Sequence, residues 1–231
     1  MPSPRTVATV AGALYLVTIA TSIPALALKA PFLDGAAGAS SDAVLWAAIL
    51  ELALALNCIG TAVVLYPVVR RTDPVLALSF VASRTLEAAI IMIGIIAMLT
   101  LVSVRASGVG GAGDTGVPDA LTAMHDWAFL LGPGVMPAVN ALLLGTALLR
   151  SRLVPRIIPL VGLVGAPLLL LAAGGTTFGL FDQVSPVSAV AAVPIALWEL
   201  SLGMWLVVKG FRPAALDGPH EVSSPRSRTV A

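Results

Sequence analysis

Apolar residues fill six long runs of the chain, and short polar segments separate each run from the next. A helix needs about 20 apolar residues to cross a bilayer core about 30 Å thick, and each run is long enough. The pattern therefore predicts an all-α, polytopic membrane bundle of six transmembrane helices. The predicted spans are residues 7–28, 43–69, 75–104, 127–149, 157–180 and 187–208.

Basic residues predict the orientation of these spans. Of the 13 Lys and Arg residues, Arg84 lies within the third span, and only Lys29 and Arg105 fall in loops on the predicted outer side. All other Lys and Arg residues are predicted to lie on the opposite side of the membrane. Cytoplasmic loops are enriched in Lys and Arg. Both termini are therefore predicted to be cytoplasmic. Residues 1–212 form the predicted membrane domain, and residues 213–231, polar and rich in Pro and Ser, a disordered cytoplasmic tail.

Composition agrees with this class of protein. Hydrophobic residues make up 58% of the chain and charged residues 11%, whereas a soluble domain is about 25% charged. A soluble enzyme, a nucleic-acid-binding protein and a disordered chain are therefore excluded. The expected surroundings are a lipid bilayer, specifically a bacterial inner membrane crossed several times. Cys58 has no second cysteine to pair with, and no motif indicates a cofactor or a metal, so none is expected.

Four ionisable residues lie inside the predicted spans: Glu51, Arg84, Glu87 and Glu199. Such residues are expensive in a membrane and usually mark functional sites. Arg84 and Glu87 are three positions apart, so they share a helix face and can pair. Three acids against one base would leave a net charge of minus two, which predicts protonated carboxyls, a bound cation or access of water.

The fourth span carries two further candidates. His125 and Asp126 lie at its predicted outer mouth, where they would line a polar cavity open outward and closed inward. Glycines and prolines a few residues later predict a break in the helix. Broken helices often build substrate or ion sites in transporters. The predicted break consists of Gly132, Pro133, Gly134 and Pro137.

Several short pieces of the chain occur in a characteristic order. They are residues 10–16 (VAGALYL), 84–89 (RTLEAA), His125 with Gly132, 145–151, 154–156, 198–200 (WEL) and 205–210 (WLVVKG). In these pieces, and over residues 5–212, the chain resembles the bacterial membrane proteins of domain-of-unknown-function family 4386. The resemblance implies a six-helix membrane protein and supplies no activity, substrate or catalytic residue.

Three functions fit these residues. The first is a protein that binds an unknown small molecule or ion, as in proton-coupled transport. Glu87 and Glu199 would then carry protons, and Arg84 would be the counter-charge between them. Glu51 and His125 would line the outer entry. Six helices are few for a single transporter, which favours a homodimer.

The other two functions use the same acids differently. In an intramembrane enzyme acting on a lipid or isoprenoid, Glu87 and Glu199 would be an acid and base pair, one protonated and one ionised. In an accessory or structural membrane protein, Arg84 and Glu87 would lock the bundle. The shape of the cavity around the acids distinguishes the first two functions. Replacement of Arg84 and Glu87 together by apolar residues tests the third, which predicts that the fold is kept.

Overall fold

The computed structural model describes residues 3–36, 38–108 and 116–212, and these residues form seven α-helices and no strand. The tail predicted for residues 213–231 lies outside the described residues. Two of the helices are halves of one crossing, so the six predicted spans of a multi-pass membrane protein are confirmed. The helices are α1 Pro4–Leu33, α2 Ser41–Val69, α3 Pro74–Ser107, α4 Gly116–Leu131, α5 Met136–Ser151, α6 Ile157–Thr177 and α7 Pro186–Val208.

Capping residues determine where three of the helices begin. Ser3, Asp73 and Ser185 each accept a hydrogen bond from a backbone N–H in the first turn of α1, α3 and α7. A proline follows each of them, and its fixed φ and missing N–H suit the first helical position. The middle parts of the helices are apolar, so contacts with the membrane and with neighbouring helices stabilise the remaining turns.

The helices form a ring in which α1 packs on α2, α2 on α3, α6 on α7, and α7 on α1. Small residues allow α1 and α7 to approach closely, because a Cβ on Gly12 would lie 2.6 Å from Gly203 O. Arg5 Nη2 donates to Val207 O at 2.7 Å. We call the end of the bundle where α1 begins and α7 ends the terminal end, and the other the far end.

The fourth span differs from its prediction. It begins at Gly116 rather than at residue 127, because polar side chains such as Asp119 and Asp126 interrupt the apolar run that defined the prediction. Residues 132–135 form a turn between α4 and α5, at the position predicted for the break. Pro137 lies in the first turn of α5, where a proline is tolerated. A Cβ on Gly134 would collide with the carbonyl oxygen of Leu130.

The break divides the packing of the fourth span. The half after the break, α5, packs against both α3 and α6, whereas α4 makes its main contacts with α3. A space therefore remains at the far end between α4, α1 and the connection from α6 to α7. The candidate site lies at this space.

Candidate functional site

Four side chains from three helices form a connected group that we call the lysine cluster: Lys29, Glu51, His125 and Asp126. Lys29 Nζ forms an ion pair with Glu51 Oε1 and lies 3.0 Å from His125 Nε2. His125 Nδ1 lies 3.2 Å from Asp126 Oδ1. An ammonium only donates, so Nε2 accepts and Nδ1 carries the hydrogen that faces Asp126.

Three side chains of this group are buried, and the fourth, that of Asp126, is exposed. The side chains of Lys29 and His125 are 2% and 3% exposed, and that of Asp126 is 58% exposed. The ring of Phe129 covers the buried part, with Lys29 Nζ 4.4 Å from its centroid and His125 stacked 6.2 Å away. A continuous polar contact therefore runs from buried Glu51 to the surface.

The position of Lys29 corrects the sequence prediction. The sequence predicts Lys29 in an outer loop, but α1 continues to Leu33, and Lys29 is a buried residue of that helix. Its ammonium offsets one of the three buried acids, so the predicted excess of two negative charges is an excess of one. The spacing along α1 could have revealed the burial of Lys29. It continues one buried face of the helix at intervals of three or four residues, formed by Thr18, Thr21 and Ala25.

A cleft of about 490 Å³ opens at the far end beside this cluster. Lys29 and His125 lie in its wall although both are buried. The remaining charged residues of the lining are Asp34, Asp126 and Asp182. With its amide oriented so that both polar atoms find partners, Gln183 donates to Asp126 O at 3.2 Å and accepts from Leu130 N at 2.9 Å.

An apolar cavity of about 230 Å³, which we call the side chamber, adjoins the cleft. The two share Leu26, Phe129 and Leu130 in their walls. Pro133 and Gly134 also line the side chamber, so the helix break shapes it. A third space of about 10 Å³ touches Lys29, Glu51 and Pro133, which is room for roughly one water molecule.

A second charged group, the arginine cluster, lies deeper in the bundle and consists of Arg84, Glu87, Glu199 and Asn140. Arg84 Nη1 donates to Glu87 Oε2 at 2.8 Å, and Arg84 Nη2 lies 3.8 Å from Glu199 Oε1. Asn140 Nδ2 donates to the same oxygen of Glu87 at 2.7 Å. Glu87 is thus held by two donors, whereas Glu199 faces the edge of one guanidinium.

Aromatic rings and unused donors surround Arg84. Its Cζ lies 5.4 Å from the centroid of Tyr15 and 5.9 Å from that of Phe80. Within the described residues, Arg84 Nε and Nη2, Tyr15 Oη and Trp198 Nε1 are buried without a hydrogen-bond partner. Arg84 Nη2, one of these unused donors, lies 3.8 Å from Glu199 Oε1.

The structure divides the four predicted intramembrane residues between these two groups. Glu51 contacts Lys29, whereas Glu87 and Glu199 contact Arg84. On α2, Glu51 precedes Cys58, the neighbour of Arg84 at 3.6 Å, by seven positions, or about 10 Å of helix. Within the described ranges, no three His, Cys, Asp or Glu side chains converge as metal ligands would.

Residues 10–210 match the model of the family described as Domain of unknown function (DUF4386). The chain belongs to this family. The resemblance inferred from its motifs is therefore confirmed, and the matched region contains both charged clusters. No curated protein and no solved structure matches the chain.

Proposed function

We propose that this DUF4386 protein binds a small solute in the cleft and couples that binding to a proton or cation held by the arginine cluster, as a proton-coupled transporter does. The observation that carries the proposal is the position of Arg84 between two carboxylates, at 2.8 Å from Glu87 and 3.8 Å from Glu199. In this proposal both termini lie on the cytoplasmic side of a bacterial inner membrane, because cytoplasmic loops are enriched in Lys and Arg.

Charge balance supports a proton at this site. One guanidinium offsets one carboxylate, and an uncompensated ion in a membrane interior is expensive. Glu87 receives hydrogen bonds from Arg84 and Asn140, so the excess charge falls on Glu199. A proton or small cation at Glu199 balances the site, and its release lets Arg84 turn toward that carboxylate.

The two other functions have less support. Members of the lysine cluster line the cleft and the small space, and neither Glu87 nor Glu199 lines these spaces or the side chamber. A lipid substrate in any of these cavities would therefore lie away from the acid pair. A purely structural role for Arg84 and Glu87 predicts the absence of proton movement, which an experiment can measure.

Proton flux into liposomes tests the proposal. The protein is reconstituted with a pH-sensitive dye inside, and a pH gradient is imposed. We expect flux above that of protein-free liposomes, lost in Glu199→Gln and reduced in Glu87→Gln, because an amide cannot carry the proton. Asp42→Asn, the same change at the exposed start of α2, is the control and keeps the flux. Flux that is absent from the natural protein, or unchanged in Glu199→Gln, overturns the proposal.

A further inference from the structure

The cleft and the side chamber lie next to each other, and we call the two together the two-part cavity. The cleft measures about 490 Å³ and the side chamber about 230 Å³, and they share part of their walls. Ligand pockets for small molecules are typically about 300–1,000 Å³. The cleft carries the charged residues and opens at the far end, and the side chamber is apolar and lies between α1, α6, α7 and the helix break. The shape suits a molecule with one polar end and one apolar body.

The charges around the cleft determine whether the polar end of the ligand is a cation or an anion. Its lining contains Lys29 and the carboxylates of Asp34, Asp126 and Asp182. Lys29 is already paired with Glu51 directly behind it. Three carboxylates therefore line the cleft beside one ammonium that Glu51 already balances, and the field in the cleft attracts a cation and repels an anion.

One buried side chain faces the carboxylate of Asp126, and a second, half-buried side chain contacts the backbone of the same residue. His125, itself 3% exposed, faces Asp126 Oδ1 with Nδ1 at 3.2 Å. The amide of Gln183 donates to the backbone oxygen of Asp126. Asp126 remains 58% exposed toward the cleft, so its carboxylate is oriented by the protein and still free to meet a ligand. Such preorganisation lowers the entropy lost on binding.

Aromatic rings add a second means of attracting a cation. Trp127, Phe129 and Phe181 line the cleft, and Trp127 is 51% exposed. Phe129 already faces Lys29 Nζ at 4.4 Å, which shows that the face of this ring is used for cation–π contact. An aromatic and acidic wall beside an apolar chamber is complementary to a large organic cation.

We infer that this two-part cavity binds an organic cation with an apolar body, its charge beside Asp126 and its body in the side chamber. The inference names the chemical class of the solute in the proposed function. Transport of the cation rests on that proposed function, whereas binding of the cation depends only on the cavity.

Equilibrium dialysis of radiolabelled tetraphenylphosphonium against the purified protein in detergent tests the inference. We expect saturable binding, weakened about tenfold or more in Asp126→Asn because a unit charge beside the ligand is lost. Asp119→Asn, the same change two turns earlier on α4 and outside the cleft, is the control and binds as the natural protein does. Tetraphenylborate, of the same shape and opposite charge, is expected to bind more weakly.

A second pair of variants tests the side chamber. Ala189 lines the chamber and is exposed, so Ala189→Phe adds a ring to the cavity without overpacking the core, and binding of tetraphenylphosphonium weakens. Ala196→Phe, at an exposed position of α7 that lines neither the cleft nor the side chamber, leaves the affinity unchanged. An equal loss in both variants contradicts the assignment of the chamber.

The outcomes separate this inference from the proposed function. Saturable binding that persists in Glu199→Gln, in a protein without proton flux, supports the inference and overturns only the proposed function. Uptake of tetraphenylphosphonium that does not saturate, or that is equal in Asp126→Asn, overturns the inference. Tighter binding of tetraphenylborate also overturns it and identifies an anion site at Lys29.

Discussion

Two charged groups are buried in the same bundle, and they differ in balance and in access. The lysine cluster pairs one ammonium with one buried carboxylate, and its His125 lies in the wall of an open cleft. The arginine cluster sets one guanidinium against Glu87 and Glu199, and Arg84 lines neither the cleft nor the side chamber.

The difference shows how water access determines what each cluster can do. Beside a cleft, an ionised side chain that loses its partner regains hydration, so the lysine cluster can meet a charged ligand and release it. Away from water, an unpaired ion is strongly unfavourable, so the arginine cluster can change its charge only by taking up or releasing a proton or ion. Substitutions of Arg84 and Lys29, the cationic side chains of the two clusters, test this comparison directly.

Replacement of Arg84 is expected to have the largest effect. Arg84→Met leaves the carboxylates of Glu87 and Glu199 buried without a base, and breaking a buried ion pair in this way destabilises by about 3–5 kcal/mol. The free energy of unfolding, measured by chemical denaturation in detergent, checks the loss. In the variant that also carries Glu87→Gln and Glu199→Gln, most of the stability returns. A triple variant as unstable as the single one contradicts the electrostatic cause.

Replacement of Lys29 is expected to have a smaller effect. Lys29→Met leaves Glu51 without its ion pair, but the adjoining cleft and the small space admit water, so the expected loss is about 2 kcal/mol. The same denaturation experiment measures it, and Lys29→Met combined with Glu51→Gln is the matched control that recovers stability. A loss as large as that of Arg84→Met would show that the two clusters do not differ in access.

The helix break beside the cleft is expected to show the smallest of these effects. In Gly134→Ala the new Cβ meets the Leu130 carbonyl, so the turn must shift, at a loss of about 1 kcal/mol. Gly174→Ala on α6 is the control, because no atom beyond the adjacent residues and its own helix backbone lies within 4 Å of the added Cβ. Denaturation of the two variants in parallel measures the difference. If both variants are equally stable, a side chain at position 134 does not disturb the turn and the prediction is wrong.

Local features of the site were predictable from the sequence, and contacts between distant elements were not. The pair of Arg84 and Glu87 follows from their spacing of three on one helix, and the structure places them 2.8 Å apart. Glu199 approaches Arg84 from α7, and Lys29 approaches Glu51 from α1. These contacts depend on how each helix is rotated about its own axis, which hydropathy does not report.

The early start of the fourth span has a related explanation. A run of consecutive apolar residues identifies a helix that faces lipid, but His125 and Asp126 face a cleft within the protein. Polar residues are tolerated there because a wet cavity replaces the bilayer. A functional surface inside a span therefore shortens the apolar pattern that reveals the span.

The sequence by itself determined the six spans, the family and the residue types that could carry charge, because hydrophobic length and local spacing are properties of neighbouring residues. Only the tertiary structure decided that the buried charges form two clusters, that Lys29 belongs to one of them, and that a cleft adjoins it. Those outcomes depend on which faces of separate helices meet, and packing of the whole bundle selects those faces.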